Sequence, residues 1–364
     1  MLNAKIFSSM TSAVNVLLVV LRGPAIVLAF LLLLSACQKA PEGVQLSGPI
    51  YGTQWRLIYH GASEPLTEDM VQEVVLEAFS VVDESMNHYS PGSTLSKLNR
   101  LPAMEVMEVD WDFAFVFNSA LDIYYATDGA YDPSVSPLIN LWGFGPEGVT
   151  KRPTDEEIDA VEPFVGLDEF AWDLSTRGFV KRHAKATLDF SSIAKGYAVD
   201  IAADSLDELG LKHFMLEVGG EIQVRGDSPR GDAWRLAIER PTAATRGDVF
   251  TAIDVRDIGV ATSGDYRNFF KDAGQRFSHL IDPRTNYPIE HDLVSATVVH
   301  PSTMIADAWA TALMVVGTEE ALRLADVHDL AVLLISRQGE QLISSHNEAM
   351  TQWLVEPAVE GVTQ

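Results

Sequence analysis

Six short stretches of this sequence carry residue types able to do chemistry, and they lie far apart along the chain. The first is Asp189-Phe190-Ser191-Ser192-Ile193-Ala194-Lys195-Gly196-Tyr197. Two hydroxyls stand at an expected helix start, where backbone N–H groups lack intrahelical partners and the dipole is positive. Lys195 falls in the first turn, where that dipole disfavours a cation. A bound anion would account for it, as phosphate does at many helix N-termini; an ordinary serine N-cap beside a solvated lysine would do so too. The second stretch is Asp307-Ala308-Trp309-Ala310-Thr311. Asp307 and Thr311 are four apart and share one helix face. An aspartate among Ile305, Ala308, Leu313 and Met314 is costly to bury without a partner, and carboxylate plus hydroxyl oxygens suit Mg²⁺. The alternative is an aspartate that helps cap a helix beginning after Ser302-Thr303.

The third stretch, Ser278-His279-Leu280-Ile281-Asp282-Pro283, sets a histidine at a strand end before a tight turn, where it serves either as general base or as a structural ring. The fourth leads from Gly129-Ala130-Tyr131-Asp132-Pro133 to Leu141-Trp142-Gly143-Phe144-Gly145, a glycine and aromatic loop that lays backbone against a flat ring or simply fills space. The fifth, Val218-Gly219-Gly220-Glu221, reads as a tight hairpin turn. The sixth, Thr262-Ser263-Gly264-Asp265-Tyr266-Arg267, either contacts phosphate or ribose or makes a turn.

These residues need a scaffold, and the sequence periodicity outlines one. Strand alternation covers 52–59. An amphipathic helix spans 67–82 with Thr67 as N-cap, and a second spans 111–127, closed by Asp128-Gly129. The segment 130–148 is too rich in Gly and Pro for regular structure. A helix follows Ser191-Ser192 to about Leu209 and stops at Gly210. Strands are expected at 213–225, 233–239 and 249–255, with turns at Gly219-Gly220 and 226–231, and at 277–281 and 293–299 on either side of a turn over 282–288. Helices at 304–316 and 319–325 precede a C-terminal strand pair. Without a regular βα alternation the fold class is α+β, one domain over 51–355 followed by a tail at 356–364.

The chain has 364 residues, 47% hydrophobic and 21% charged, the balance of a globular protein with ample core. Against 26 Lys and Arg stand 51 Asp and Glu, a net charge of −25, which argues against a nucleic-acid partner. Residues 1–36 contain no acidic residue, only Lys5 and Arg22 as basic ones, and an unbroken apolar run at 25–34. That run is too short to span a bilayer and suits the apolar region of a secretory signal. It ends in Leu34-Ser35-Ala36-Cys37, which resembles the bacterial lipobox and implies cleavage before Cys37 and a diacylglycerol thioether on it. The alternative, a membrane anchor made of 13–21 and 25–34, is interrupted by Arg22-Gly23-Pro24. Residues 37–50 read as a polar tether. Cys37 is the only cysteine, so cysteine nucleophiles, zinc–thiolate sites and iron–sulfur clusters are excluded. The expected location is outside the cytoplasm, lipid-anchored to a bacterial membrane and facing the periplasm.

Taken in order, these stretches resemble the ApbE family of flavin transferases. The similarity runs from Tyr51-Gly52-Thr53 through Ala130-Tyr131-Asp132, Ile193-Ala194-Lys195-Gly196-Tyr197, Gly219-Gly220-Glu221, Ser263-Gly264-Asp265-Tyr266-Arg267 and Ser278-His279-Leu280-Ile281-Asp282-Pro283 to Asp307-Ala308-Trp309-Ala310-Thr311-Ala312-Leu313. The resemblance implies a catalytic domain that takes FAD as substrate with Mg²⁺, transfers the FMN half to a threonine hydroxyl of a target protein and releases AMP. The acceptors it implies are exported domains of respiratory flavoproteins. By the same resemblance, Asp307 and Thr311, with the backbone carbonyl of Ala194, would hold Mg²⁺ against the pyrophosphate, which Ser191 and Lys195 would face. Tyr51, Tyr89, Ala130, Tyr131 and Asp132 would enclose the flavin or adenine end, with Tyr197 also in the binding set and Ile281 lining the nucleotide pocket. His279 would take the proton of the acceptor hydroxyl, with Asp282 beside it in the catalytic set. An Mg²⁺-dependent FAD pyrophosphatase giving FMN and AMP, and a non-catalytic flavin-binding lipoprotein, are the alternatives. An aromatic wall at Tyr89 would favour transfer by limiting water.

Overall fold

Strand alternation closes into one eight-stranded sheet whose spatial order follows the chain: β1 (Val44–Ile50), β2 (Thr53–Tyr59), β3 (Phe214–Val218), β4 (Glu221–Arg225), β5 (Ile258–Gly264), β6 (Leu293–His300), β7 (Ala331–Gln338) and β8 (Gln341–His346), each antiparallel to its neighbours. The computed structural model describes residues 43–62, 66–145, 152–173, 175–242, 247–266, 269–272 and 275–355. The leader, Cys37 with its lipobox, the tether up to 42, Arg267 and the tail 356–364 lie outside the described residues.

Period-two burial divides the sheet between two cores. Leu216, Val218, Ala261, Ala296, Val298, Val332 and Leu334 face the helical side, whereas Met215, Val224, Val260, Leu333 and Ile335 face a hairpin formed by Trp234–Glu239 and Val249–Val255. The helical layer comprises α1 (Glu68–Met86), α2 (Trp111–Ala126) and α3 (Ala194–Glu208), inserted between β2 and β3, and α4 (Thr303–Val316) and α5 (Thr318–Val327), inserted between β6 and β7. α4 lies on β5 and β6 with α3 against it. The α+β expectation holds, as does Thr67 as N-cap of α1, its hydroxyl accepting from Met70 N–H.

Three expectations are corrected. The tether does not reach residue 50: Val44–Ile50 is an edge strand paired with β2 from Val44↔Tyr59 to Ile50↔Thr53. Pro49 lacks a donor, which an edge strand tolerates. The segment 130–148 is not wholly irregular, since Ser136–Leu141 forms a short helix. The strand expected at 277–281 is broken: Gln275–Ser278 pairs with Phe269–Asp272, Ile281–Asp282 pairs with Tyr287–Pro288, and His279 and Leu280 stand between.

The start of α4 is fixed from α3. Ser302 is its N-cap, with Oγ accepting from Ile305 N–H at 3.3 Å. Asp200 accepts the Ser302 hydroxyl at 2.6 Å and the N–H groups of Thr303 and Met304 at 2.8 and 3.0 Å. Asp307 therefore does not cap this helix. Removing Asp200 leaves two helix-start donors without this acceptor, so Asp200→Ala is expected to cost about 2 kcal/mol, read as a lowered denaturant midpoint at unchanged slope.

Candidate active site

Four walls from distant parts of the chain enclose a cavity of about 510 Å³, the size of a small-molecule site. After α2 the backbone reverses through Asp128 and Gly129, both in the left-handed region at φ 51° and 77°. The Thr127 hydroxyl accepts from Tyr131 N–H at 3.0 Å, and Ala130, Tyr131 and Asp132 form the first wall. Asp132 Oδ1 accepts the N–H and the hydroxyl of Ser134 at 2.7 and 2.6 Å. Burial outweighs both bonds and pushes its carboxyl from 3.8 up to about 6. The native state thus binds this proton more tightly than the unfolded chain, so the contribution to stability falls as pH rises from 4 to 6, by up to about 3 kcal/mol. Asp132→Asn keeps Oδ1 as acceptor without the charge. It is expected to raise stability at pH 7.5 by no more than that amount and to flatten the pH dependence between 4 and 6, measured by denaturant unfolding across that range.

The second wall is the run into α3. Asp189 N–H donates to Pro133 O at 2.8 Å, tying the two walls together, and Asp189 Oδ1 accepts the N–H and the hydroxyl of Ser191 at 2.8 and 2.5 Å. Ser192 Oγ and the Tyr131 hydroxyl are 3.1 Å apart. Neither serine caps α3; Ile193 holds the cap position without a side-chain bond. Nor does Lys195 project freely into solvent, although it stays partly exposed. Its Nζ donates to Ser191 O at 3.0 Å and lies 3.3 Å from Asp307 Oδ2 and 3.6 Å from Glu221 Oε1. Burial disfavours its charge, but the two carboxylates prevail and hold the ammonium above the ordinary lysine range.

The third wall is the β3–β4 turn. Gly219 and Gly220 adopt φ 62° and 114°, and the hairpin delivers Glu221, which is 4% exposed, to the cavity. Its Oε2 is buried and has no hydrogen-bond partner. Burial pushes this carboxyl up, while the attraction of Lys195 favours its ionised form. Behind it, α3 and α4 touch at Gly196. Its N–H donates to Asp307 Oδ2 at 3.1 Å, and a Cβ there would lie 2.5 Å from Thr303 O. Glycine lets the helices approach closely enough for a backbone N–H to hold the carboxylate.

The fourth wall joins Thr262, Ser263 and Gly264 at the end of β5 to His279, Leu280 and Ile281, with Asp307, Thr311 and Val315 of α4 beneath. Thr311 Oγ1 and Ser263 Oγ are 3.1 Å apart. The His279 ring meets Phe144 edge-on, 6.3 Å between centroids.

The structure thus brings Ala130, Tyr131, Asp132, Ser191, Lys195, His279, Ile281, Asp307 and Thr311 to one cavity. It leaves five expected residues outside the lining. Tyr51 sits in the β1–β2 turn, half-buried against the core, with its hydroxyl donating to Phe79 O at 2.6 Å. Tyr89 is 74% exposed and rests on His88. Tyr197 turns away on α3 and donates to Asp112. Asp282 is clamped by Arg284 through two bonds at 2.9 and 2.8 Å and shapes the turn instead of facing the cavity. Ala194 opens α3, its N–H donating to Phe190 O. Conversely, Asp189, Ser263 and Glu221 line the cavity without having been assigned to it. Glu221 had a signal, a carboxylate placed directly after a Gly-Gly turn in an otherwise buried strand.

The donor set suits a hard divalent ion. Asp307 and Thr311 offer a carboxylate and a hydroxyl, and the orphaned Glu221 Oε2 adds an unsatisfied acceptor nearby. Among the described residues no three His, Cys, Asp or Glu gather into a ready-made metal cage. An ion here would complete its shell with water and a ligand's oxygens, as Mg²⁺ does.

Residues 51–334 match the ApbE family. The chain is 37% identical to an FAD:protein FMN transferase of Haemophilus influenzae, over 89% of this chain and 95% of that protein. It is 39% identical to one of Vibrio cholerae, over 88% and 95%. Among solved structures it resembles the flavin transferase ApbE from Vibrio cholerae (TM-score 0.79, 36% identity, 86% of this chain and 99% of that one). It also resembles the apo flavinyl transferase ApbE of Pseudomonas stutzeri (0.78, 32%, 86% and 96%).

Proposed function

The chain belongs to the ApbE family, and from that premise we propose that it transfers the FMN half of FAD, in the presence of Mg²⁺, to a threonine hydroxyl of an acceptor protein and releases AMP. The observation that carries this reading is the meeting of Asp307 and Thr311 of α4 with Lys195 and His279 at one cavity, from three parts of the chain. Transfer at phosphorus needs positioning and charge neutralisation more than covalent help. The acceptor oxygen forms a bond to the FMN phosphorus, the bond from that phosphorus to the bridging oxygen breaks, and AMP leaves with that oxygen. His279 takes the acceptor's proton. Lys195, held charged by two carboxylates, offsets negative charge on the pyrophosphate. Asp307 and Thr311 would hold Mg²⁺, which when bound neutralises charge growing on the leaving phosphate.

The leader supports an exported, lipid-anchored protein modified at Cys37, with exported respiratory flavoproteins as acceptors. Tyr89 is exposed and outside the lining of the cavity, so transfer and hydrolysis are separated by the product. The test incubates the protein with FAD, Mg²⁺ and an exported flavoprotein domain bearing an acceptor threonine, and reads the acceptor's intact mass. A gain of one FMN, abolished by EDTA, is expected. Free FMN and AMP beside an unmodified acceptor would replace this reading with a pyrophosphatase, and unconsumed FAD would leave a binding protein.

A further inference from the structure

Two unbalanced features meet at Glu221. The first is charge: Lys195 lies 3.3 Å from Asp307 and 3.6 Å from Glu221, so one ammonium faces two carboxylates that are each less than a tenth exposed. The second is hydrogen bonding: Oε1 has Lys195 at ion-pair distance, whereas Oε2 is buried with no donor, on a side chain that lines the cavity. Buried acceptors without partners cost free energy, and so does an uncompensated buried charge. One divalent ion beside Asp307 would relieve both, since Mg²⁺ and Mn²⁺ retain waters that donate strongly to nearby anions.

We infer that Glu221 is a positioning residue for the cation, accepting on Oε2 a hydrogen bond from an ion-bound water and supplying the negative charge that Lys195 leaves unmatched. The inference rests on Asp307 and Thr311 as the direct ligands. Glu221 is set at the cavity by the Gly219-Gly220 turn and by Lys195, and a small turn of its carboxylate opens Oε2 to the ion-bound water.

The experiment titrates Mn²⁺ alone into the full chain and reads free ion by electron paramagnetic resonance, with unfolding midpoints in EDTA alongside. Glu221→Gln removes the charge at nearly equal volume. It is expected to weaken Mn²⁺ binding 10- to 100-fold, the usual range for partners of metal ligands, while the EDTA midpoint stays level or rises because a buried charge is gone. Glu221→Asp keeps the charge and draws the carboxylate back, and an intermediate loss is expected; it also serves should Glu221→Gln fail to fold. Affinity within twofold of wild type in the folded variants overturns the inference. If Asp307→Ala also binds Mn²⁺ at wild-type strength, the direct-ligand assignment falls with it. The acceptor-mass assay runs independently of both, so a failure here is distinguishable from a failure of flavin transfer.

Discussion

Asp307→Ala is expected to lose flavin transfer by about 10²–10³-fold or more, the scale for removing one preorganised electrostatic contact at a reacting phosphate. The size of the effect follows from how many things this one carboxylate does. It is 2% exposed, accepts Gly196 N–H at 3.1 Å, meets Lys195 at 3.3 Å and shares a helix face with Thr311. Alanine removes the metal ligand and frees Lys195 together, so part of the loss could come from a misplaced lysine or a loosened α3–α4 contact. Asp307→Asn separates these contributions. The amide oxygen still accepts from Gly196, the volume is unchanged, and only charge and ligand strength fall. With asparagine the Mg²⁺ concentration for half-maximal rate should shift upward by at least about tenfold, with the far-ultraviolet spectrum and unfolding midpoint near wild type. Full activity of Asp307→Ala at limiting Mg²⁺ would remove Asp307 from the metal site.

Local signals in the sequence were sufficient wherever a single element decided the outcome. Thr67 before an amphipathic run marks the start of α1, and Gly219-Gly220 between two apolar strands marks a hairpin, because caps and turns are properties of a few adjacent residues. Asp307 and Lys195 were legible for a similar reason: each is a charge where local physics disfavours one, in an apolar helix or at a dipole's positive end. What stayed hidden depends on the third dimension. Val44–Ile50 reads as a linker because Gly48 and Pro49 are poor strand formers; only its position at the sheet edge makes them acceptable. Tyr197 and Asp282 belong to stretches that do reach the cavity, whereas the stretches around Tyr51 and Tyr89 contribute nothing to its lining. Side-chain direction sets the first two apart. Tyr197 follows Lys195 by two positions on a helix, so it points to a different face. Asp282 follows Ile281 in a strand and points opposite. Proximity in a motif is therefore a good guide to the neighbourhood and a poorer one to which side chains line the cavity. Glu221 illustrates the converse: its place after the Gly-Gly turn is visible in the sequence, but its missing partner is visible only in the structure.

His279→Ala should retain FAD binding and lose transfer by about 10²–10⁴-fold, the usual contribution of a positioned base. The ring stands in the break between Gln275–Ser278 and Ile281–Asp282, edge-on to Phe144 and on the cavity wall. That placement fits a base: it belongs to neither short sheet, so its orientation is set by the turn and not by a strand's pleat. A ring that only walls the cavity would behave differently, and two measurements tell them apart. Losing a base removes the acid limb of the pH–rate profile, whereas losing a wall raises the KM for FAD and leaves the profile in place. Alanine also opens a ring-sized space against Phe144, so imidazole added to the His279→Ala protein should restore part of the transfer rate, rising with the fraction of neutral imidazole. Asp282→Asn is the companion variant, because Asp282 is occupied by Arg284 and faces the turn. It should change stability more than rate, through a weakened 281–288 turn. Transfer by His279→Ala within tenfold of wild type with an unchanged profile would mean that the acceptor's proton leaves by another route, with the Asp189 carboxylate, which already accepts the Ser191 hydroxyl on the same cavity, as the next group to test.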